Sequence, residues 1–211
     1  MFWQSLRLGA TESGLGGPQR GVIPGFICLI LGTGLSLSGT LASKAQYAPL
    51  ANRSYNPWQY ASFPVENFQT YTSGFGYRTS PTNGTRQFHY GLDLAAPLGS
   101  YIRNWWAGRI VELSDHTACG TMIRVQSGEW QHIYCHLMGR VEVYQGQRVL
   151  LDQEGGIILQ EGQDLPVGAR IGRVGMTGRT TGPHLHWGLK HNGEYIDPAR
   201  VLQAMYLPAA L

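Results

Sequence analysis

The sequence predicts an all-β fold: an antiparallel β-sheet core of short strands and hairpins, enclosing a groove, with few short helices. Three observations predict it. The apolar stretches are short and are separated by glycine, which supplies 29 of 211 residues. No long stretch repeats its apolar residues with the 3.6 period of an amphipathic helix. The chain is rich in aromatics, with 11 Tyr and 6 Trp, residues that suit pleated, half-buried surfaces.

The elements follow in chain order. Residues 46–66, rich in Tyr, Asn, Ser and Pro and without periodicity, read as a linker or an arm packed on a domain surface. The domain itself is expected over 67–205. Residues 109–113 read as a strand. Residues 122–126 and 130–136, turned at Ser127-Gly128, read as a β-hairpin. Residues 149–151, 157–159, 169–174 and 184–189 are further strands. Only 198–205 reads as a helical turn. No internal repeat is visible.

Composition excludes several classes. Charged residues are 14% of the chain, well below the roughly 25% of ordinary soluble domains, so this is no disordered polyelectrolyte. The net charge is +3 and the basic residues are scattered. No stripe exists for a nucleic-acid backbone, and no nucleic-acid partner is expected. Three cysteines are too few for a disulfide scaffold.

The first 45 residues form a separate object. Arg7 and Arg20 are opposed only by Glu12, and residues 22–41 carry no charge. Ser43-Lys44-Ala45 then places small residues where a signal peptidase reads them. This pattern is that of an export signal cleaved after Ala45. A retained anchor is the alternative, since about 20 apolar residues span roughly 30 Å as a helix. Any membrane attachment would run through 22–41 alone. Cys28 follows the bulky Ile27, which argues against lipidation. On either reading the remainder is exported, to the periplasm, the cell envelope or beyond.

All seven histidines lie after Ala45. His184-Leu185-His186 sits in a strand-like run. Alternate strand residues share a face, so both imidazoles point the same way, with Cα atoms roughly 6.7 Å apart. His89 and Asp93 stand four apart. In a straight strand that is about 13 Å, too far for ligands at roughly 2.0–2.2 Å from one zinc ion. The chain must bend between them, and Gly91 allows it. His136 ends a strand in which His132 and Tyr134 share a face. His132 reads as an exposed edge histidine, and His116 and His191 as loop residues.

Six segments together resemble the M23, LytM-like or lysostaphin-type, zinc metallopeptidases of bacterial cell walls: SGFGYR, FHYGLDLAAPLGS, AGRIVEL, YCHL, GARIGRVGMTG and TTGPHLHWGL. They occur in the family's order over about residues 72–198. The resemblance implies that His89, Asp93 and His186 are zinc ligands in a groove. It implies that His184 and His136 are the catalytic histidines. Two imidazoles and one carboxylate with an open fourth position suit a catalytic zinc site. No HExxH motif offers a glutamate base, so histidines, with pKa values near working pH, must handle the protons.

The implied activity is hydrolysis of peptide bonds in peptidoglycan stem peptides or cross-bridges. The alternative is a non-catalytic LytM-like activator of a cell-wall amidase. A third variant attacks glycine bridges of competing cells. All five family positions are filled here, which argues against the regulator.

The span from His136 to His184 is longer than the family's usual one. The extra length falls in 138–164, with Gly155-Gly156 and the acidic residues Asp152, Glu154, Glu161 and Asp164. It either lines the groove or forms a solvated surface hairpin. Cys119 and Cys135 flank the 122–136 hairpin. They either pair, closing a loop of about 15 residues worth roughly 3 kcal/mol, or stay as two buried thiols. The expected register leaves them two or three positions out of opposition, which favours thiols.

Overall fold

The computed structural model describes residues 56–206. The leader, its cleavage site after Ala45 and the first part of the arm lie outside the described residues. Within them the fold is mostly antiparallel β, as expected.

The first half of the chain forms β1 (Thr70–Ser73), β2 (Gly76–Thr79), β3 (Arg86–His89), β4 (Leu92–Ala95), β5 (Tyr101–Arg103), β6 (Gly108–Ser114) and β7 (Thr121–Ser127). The second half forms β8 (Trp130–Leu137), β9 (Arg140–Tyr144), β10 (Gln147–Asp152), β11 (Ile157–Gln160), β12 (Asp164–Leu165), β13 (Arg170–Arg173), β14 (His184–His191), β15 (Glu194–Ile196) and the helix α1 (Pro198–Tyr206). The main sheet runs β1-β4-β14-β8-β7-β6-β12, with β15 beside β14. Smaller sheets are β11-β10-β9, β13-β5 and β2-β3.

One face of the main sheet packs the core. Leu92 and Leu94 of β4, Tyr134 of β8, and Leu185, Trp187 and Leu189 of β14 are all buried there. Their strand neighbours at odd spacing, Asp93, His184 and His186, therefore face the other way. A 3-10 turn over Pro57–Tyr60 lays Trp58 against Trp105, with ring centroids 4.8 Å apart. Asn56 ties this turn to α1, donating to the Ala204 carbonyl at 2.6 Å.

His132 is not an edge residue. β8 lies between β14 and β7, and His132 pairs with Leu189 on one side and Val125 on the other. Sharing a face with Tyr134 puts it in the core, at 0% exposure. Both ring nitrogens are engaged there, Nδ1 with the Tyr134 hydroxyl and Nε2 with Ser127 Oγ, each at 2.8 Å. A buried polar group survives by being bonded, and this one is bonded at both ends.

Cys119 and Cys135 form a disulfide with Cα atoms 4.8 Å apart, which corrects the expectation of free thiols. The reason is an irregularity that an ideal hairpin lacks. Thr121 pairs with Leu137, but Ile123 pairs with Tyr134, so β8 carries one residue more than β7 over this stretch. The bulge pulls Cys135 level with the chain before β7. The His136 N–H then donates to the Cys119 carbonyl at 2.8 Å.

The long segment 138–164 is neither a groove wall nor a solvated hairpin, since its Leu150, Ile157 and Leu159 are buried in the main core. It builds β9, β10 and β11, and among the described residues none from it lines the groove. Its acidic residues are each paired, and Asp152 is itself buried. Asp152 binds Arg173 through two hydrogen bonds of 2.6 and 2.7 Å, and Glu154 joins the same guanidinium at 3.3 Å. Asp164 meets Arg109 at 2.8 Å, and Glu161 accepts from the Leu113 N–H at 2.8 Å.

Burial pushes His132 down to a pKa of about 3, against about 6.5 for a free imidazole. Between those values the unfolded chain binds a proton that the folded chain does not. Stability therefore falls as pH drops through this window, by about 1.4 kcal/mol per pH unit for each such group. Urea titrations at pH 7, 6, 5 and 4 should show this decline. The His132→Asn protein should lose about one proton's share of the slope, whatever its own stability. An unchanged slope would remove His132 as the source.

Candidate metal centre and groove

Four strands deliver the site. Asp93 on β4 stands directly opposite His186 on β14, so sheet register alone makes them neighbours. His184 lies two residues earlier on the same face. His89 arrives from a different sheet, at the end of β3, and the chain turns sharply between it and Asp93. Gly91 permits the approach by its bareness rather than by a left-handed backbone. A Cβ there would stand 2.7 Å from both Cε1 and Nε2 of His186 and 2.7 Å from the Trp187 carbonyl.

His136 reaches the groove by strain. It occupies the bulge of β8 with φ +65°, a left-handed conformation uncommon for a side chain of this size. Bulges re-aim side chains beside functional sites, and this one turns His136 out of the ladder. Its ring comes 4.9 Å from that of His184 and 6.0 Å from that of His186.

His89, Asp93 and His186 form a cluster able to hold a metal ion. His89 Nε2 lies 2.9 Å from His186 Nδ1 and 3.0 Å from Asp93 Oδ1. His186 Nδ1 lies 2.9 Å from the same carboxylate oxygen. The Nδ1–H of His89 donates to the Gly74 carbonyl at 2.7 Å, so its Nε2 carries a lone pair. One proton bridges at most one edge of this triangle. Three lone-pair donors so close together call for a shared cation, and the triangle is small enough for all three to reach one ion at roughly 2.0–2.2 Å.

Electrostatics agree. Burial alone would raise the Asp93 carboxyl, but the His186 and His89 rings beside it outweigh that and hold the group far below the usual carboxylate range. Its outer oxygen, Oδ2, takes Arg78 Nη1 at 3.2 Å. The same nitrogen donates to Ser73 Oγ. Burial lowers His186 and, chiefly by the same cause, brings His136 down to about 4. Both are neutral at pH 7, as ligation and proton acceptance require.

His136 and His184 share one arrangement. The Nδ1–H of His136 donates to the Thr177 carbonyl, and that of His184 to the Gly182 carbonyl, each at 2.9 Å. Each Nε2 is thereby left as an acceptor. His184 Nε2 is 3.6 Å from Asp93 Oδ1, beside the donor triangle but outside it. All five histidine and aspartate side chains line one groove of about 640 Å³.

Residue-level reading of the sequence assigned no part to Arg78, Gly74, Thr177 or Gly182. Each lies inside a segment already noticed, SGFGYR, GMTG or TTGPHLHWGL. Three of them act through a backbone carbonyl, which no residue type advertises. His116 is exposed, and His191 pairs with Glu129 at 3.3 Å and stacks on Trp130, so neither joins the site.

An antiparallel sheet bearing a His-Asp-His metal triangle with two further histidines defines a metallopeptidase-type groove. The model of Peptidase family M23 matches residues 87–158 and 150–198, and the chain belongs to that family. It is 32% identical over 130 residues to the DD-carboxypeptidase/endopeptidase Mpg of Neisseria meningitidis, covering 62% of this chain and 26% of that protein. It is 29% identical over 127 residues to the peptidoglycan DD-endopeptidase ShyB of Vibrio cholerae, covering 59% and 26%. A solved zinc-containing peptidase from Vibrio cholerae superposes with a TM-score of 0.52 at 26% identity, covering 69% of this chain and 39% of that one. The matched part spans about a quarter of the length of these curated relatives.

Gly91→Ala tests the close approach directly. The added methyl must displace the His186 ring, and metal content measured by mass spectrometry on purified protein should fall by at least about tenfold. Full metal content in a folded Gly91→Ala protein would show that the ring has room to spare.

Proposed function

We propose that this chain is a zinc-dependent endopeptidase that cleaves peptide bonds in peptidoglycan, within stem peptides or cross-bridges. The observation that carries the proposal is the donor triangle flanked by two acceptor nitrogens in one groove. The family membership and the relatives' named activities support it. His89 and His186 through ring nitrogens, and Asp93 through Oδ1, would hold the zinc. Bound there, the ion supplies a Lewis acid and brings the pKa of water toward about 7.

The chain's own residues do the remainder. Arg78 ties up Asp93 Oδ2, leaving Oδ1 to face the two imidazoles. His184 and His136, their Nδ1–H groups tethered to carbonyls, present Nε2 to the reacting bond. Between them they take the proton of the attacking water and return one to the leaving amine. Arg179 adds a cation to the groove lining, which suits the carboxylates of wall peptides.

Two losses should separate. Asp93→Ala should lose zinc. His184→Ala and His136→Ala should keep zinc but lose turnover on purified muropeptides by about 10²-fold or more. Digests with and without chelator, read by mass spectrometry, measure both. Near-native turnover of His184→Ala, or full zinc in Asp93→Ala, would defeat the assignment. Sub-stoichiometric zinc with no cleavage by the unaltered chain would favour the amidase activator.

We also propose that the chain works outside the cytoplasm. The uncharged run 22–41 beside Arg20 and the small residues at Ser43 and Ala45 support this. So does the Cys119–Cys135 bond, since disulfides persist in oxidising compartments. N-terminal mass spectrometry of protein from the envelope fraction should find Gln46 first. Intact protein held in membranes after alkaline wash would favour the anchor. Intact soluble protein in the cytoplasm would contradict export.

A further inference from the structure

The β2-β3 hairpin has two unlike faces. One carries Arg78, Gln87 and His89 toward the metal donors. The other carries the cross-strand pair Tyr77 and Phe88, with Arg86 beside them and Phe75 and Tyr90 at the next same-face positions.

These rings form a continuous row. Phe88 stands 5.0 Å from Phe75, 5.0 Å from Tyr77 and 4.8 Å from Tyr90, and Tyr90 stands 4.8 Å from Tyr195. Tyr77 is 71% exposed and Tyr90 52% exposed. The half-buried Phe75 and Phe88 pack against neither apolar cluster of the fold, so core formation does not account for them. A contiguous apolar patch left in water marks an interaction surface.

Its position and shape say what it meets. Phe88, Tyr90 and Tyr195 also line the groove, so the row starts at the site and runs out along the wall to Tyr77. Tyr77, Phe88, Tyr90 and Tyr195 follow one another along it, with Phe75 set to the side of Phe88, an elongated run that suits a polymer strand continuing from the groove. Cations flank it, with Arg86 over the Tyr77 ring at 5.0 Å and Lys190 over the Tyr195 ring at 4.4 Å.

We propose that this row is a glycan subsite, holding the sugar strand from which the peptide in the groove hangs. The proposal rests on the peptidoglycan reading above. Pyranose rings offer apolar C–H faces to aromatic rings, while their hydroxyls meet the tyrosine tips, whose rings are apolar in body and polar at one end. Arg86 and Lys190 complement the carboxylates that wall polymer carries.

The test compares two substrates: cross-linked muropeptides bearing their sugars, and the same cross-linked peptides freed of sugar by an amidase. Tyr77→Ala should shift the ratio of KM values between them about fivefold against the sugar-bearing form, the scale of one lost aromatic contact. An unchanged ratio overturns the subsite. Sedimentation of the full chain with peptide-free glycan strands gives a reading independent of catalysis. The unaltered chain should pellet with the strands, and Tyr77→Ala should pellet less. No glycan binding, or binding to phosphatidylglycerol vesicles in its place, overturns the proposal. Failure to cleave either substrate, with glycan binding intact, sinks the peptidase reading and leaves the subsite standing.

Discussion

The register of β4 against β14 is the constraint on which the site depends. His186 faces Asp93 across that pair, while Leu185 faces Leu94 and Trp187 faces Leu92. A slip of one residue would turn every side chain to the opposite face. His184 and His186 would enter the core, and Leu185 and Trp187 would enter the groove. Leu94, Leu185 and Trp187 are fully buried, so the apolar face penalises that slip heavily. The core thus holds the metal donors in place without touching them. The functional face inherits its order from hydrophobic burial on the other side of the same strands.

Register alone brings two of the three donors and one flanking histidine. The other two residues arrive by irregularities, and each irregularity is held from outside. His89 is carried in by a separate hairpin, which the Gly74 carbonyl and the bare Gly91 let close against His186. His136 sits in a left-handed bulge whose cost, of order 1–3 kcal/mol for such a conformation, persists only when surroundings over-determine it. Here the Cys119 carbonyl takes its N–H, the adjacent Cys135 is tied to Cys119, and Thr177 holds its ring. Thr177 is itself locked, with Oγ1 donating to the Leu137 carbonyl and accepting from the Thr121 N–H, each at 2.9 Å. Disulfide, bulge and GMTG turn act together to present one Nε2.

The sequence was legible where a residue type or a period carries the signal. The β6–β7–β8 meander, β10, β11, β13, β14 and α1 are each marked by an apolar run or a turn signal, and each forms within a few residues of its expected bounds. The missed strands are short. β2 and β3 have four residues each, too few for the single aromatic pair Tyr77 and Phe88 to show a period. β12 has two residues and exists only because β6 offers an edge. That these five residues would share one groove was legible because six motif segments in order constrain one another, whereas HxH or HxxxD alone does not. Illegible were the features made by backbone. The β8 bulge hid both the disulfide and the aim of His136. His132 looked like an edge residue because local sequence does not say that β14 covers β8. Gly91 was read as a bend-former, although its role is to leave space for a ring.

The 138–164 segment between His136 and His184 illustrates what such a site tolerates. β9 leaves the main sheet directly after β8, yet the β9-β10-β11 sheet lies away from the groove. Gly139, with φ +89°, turns the chain there, and a Cβ at that position would strike the Leu151 carbonyl. The segment is then tied down by its own ion pairs, chiefly Asp152 with Arg173, whose side chain is only 13% exposed. Arg173 lies on β13, and Val174 just after it bridges back to Leu137, one residue from His136. A segment anchored at that point meets the far side of the bulge without narrowing the groove. Loop length is thermodynamically cheap when the loop closes on itself. The segment therefore extends the core with Leu150, Ile157 and Leu159 on the side away from the groove, and the walls that face the metal donors stay with β2, β3 and the Thr180–Pro183 turn.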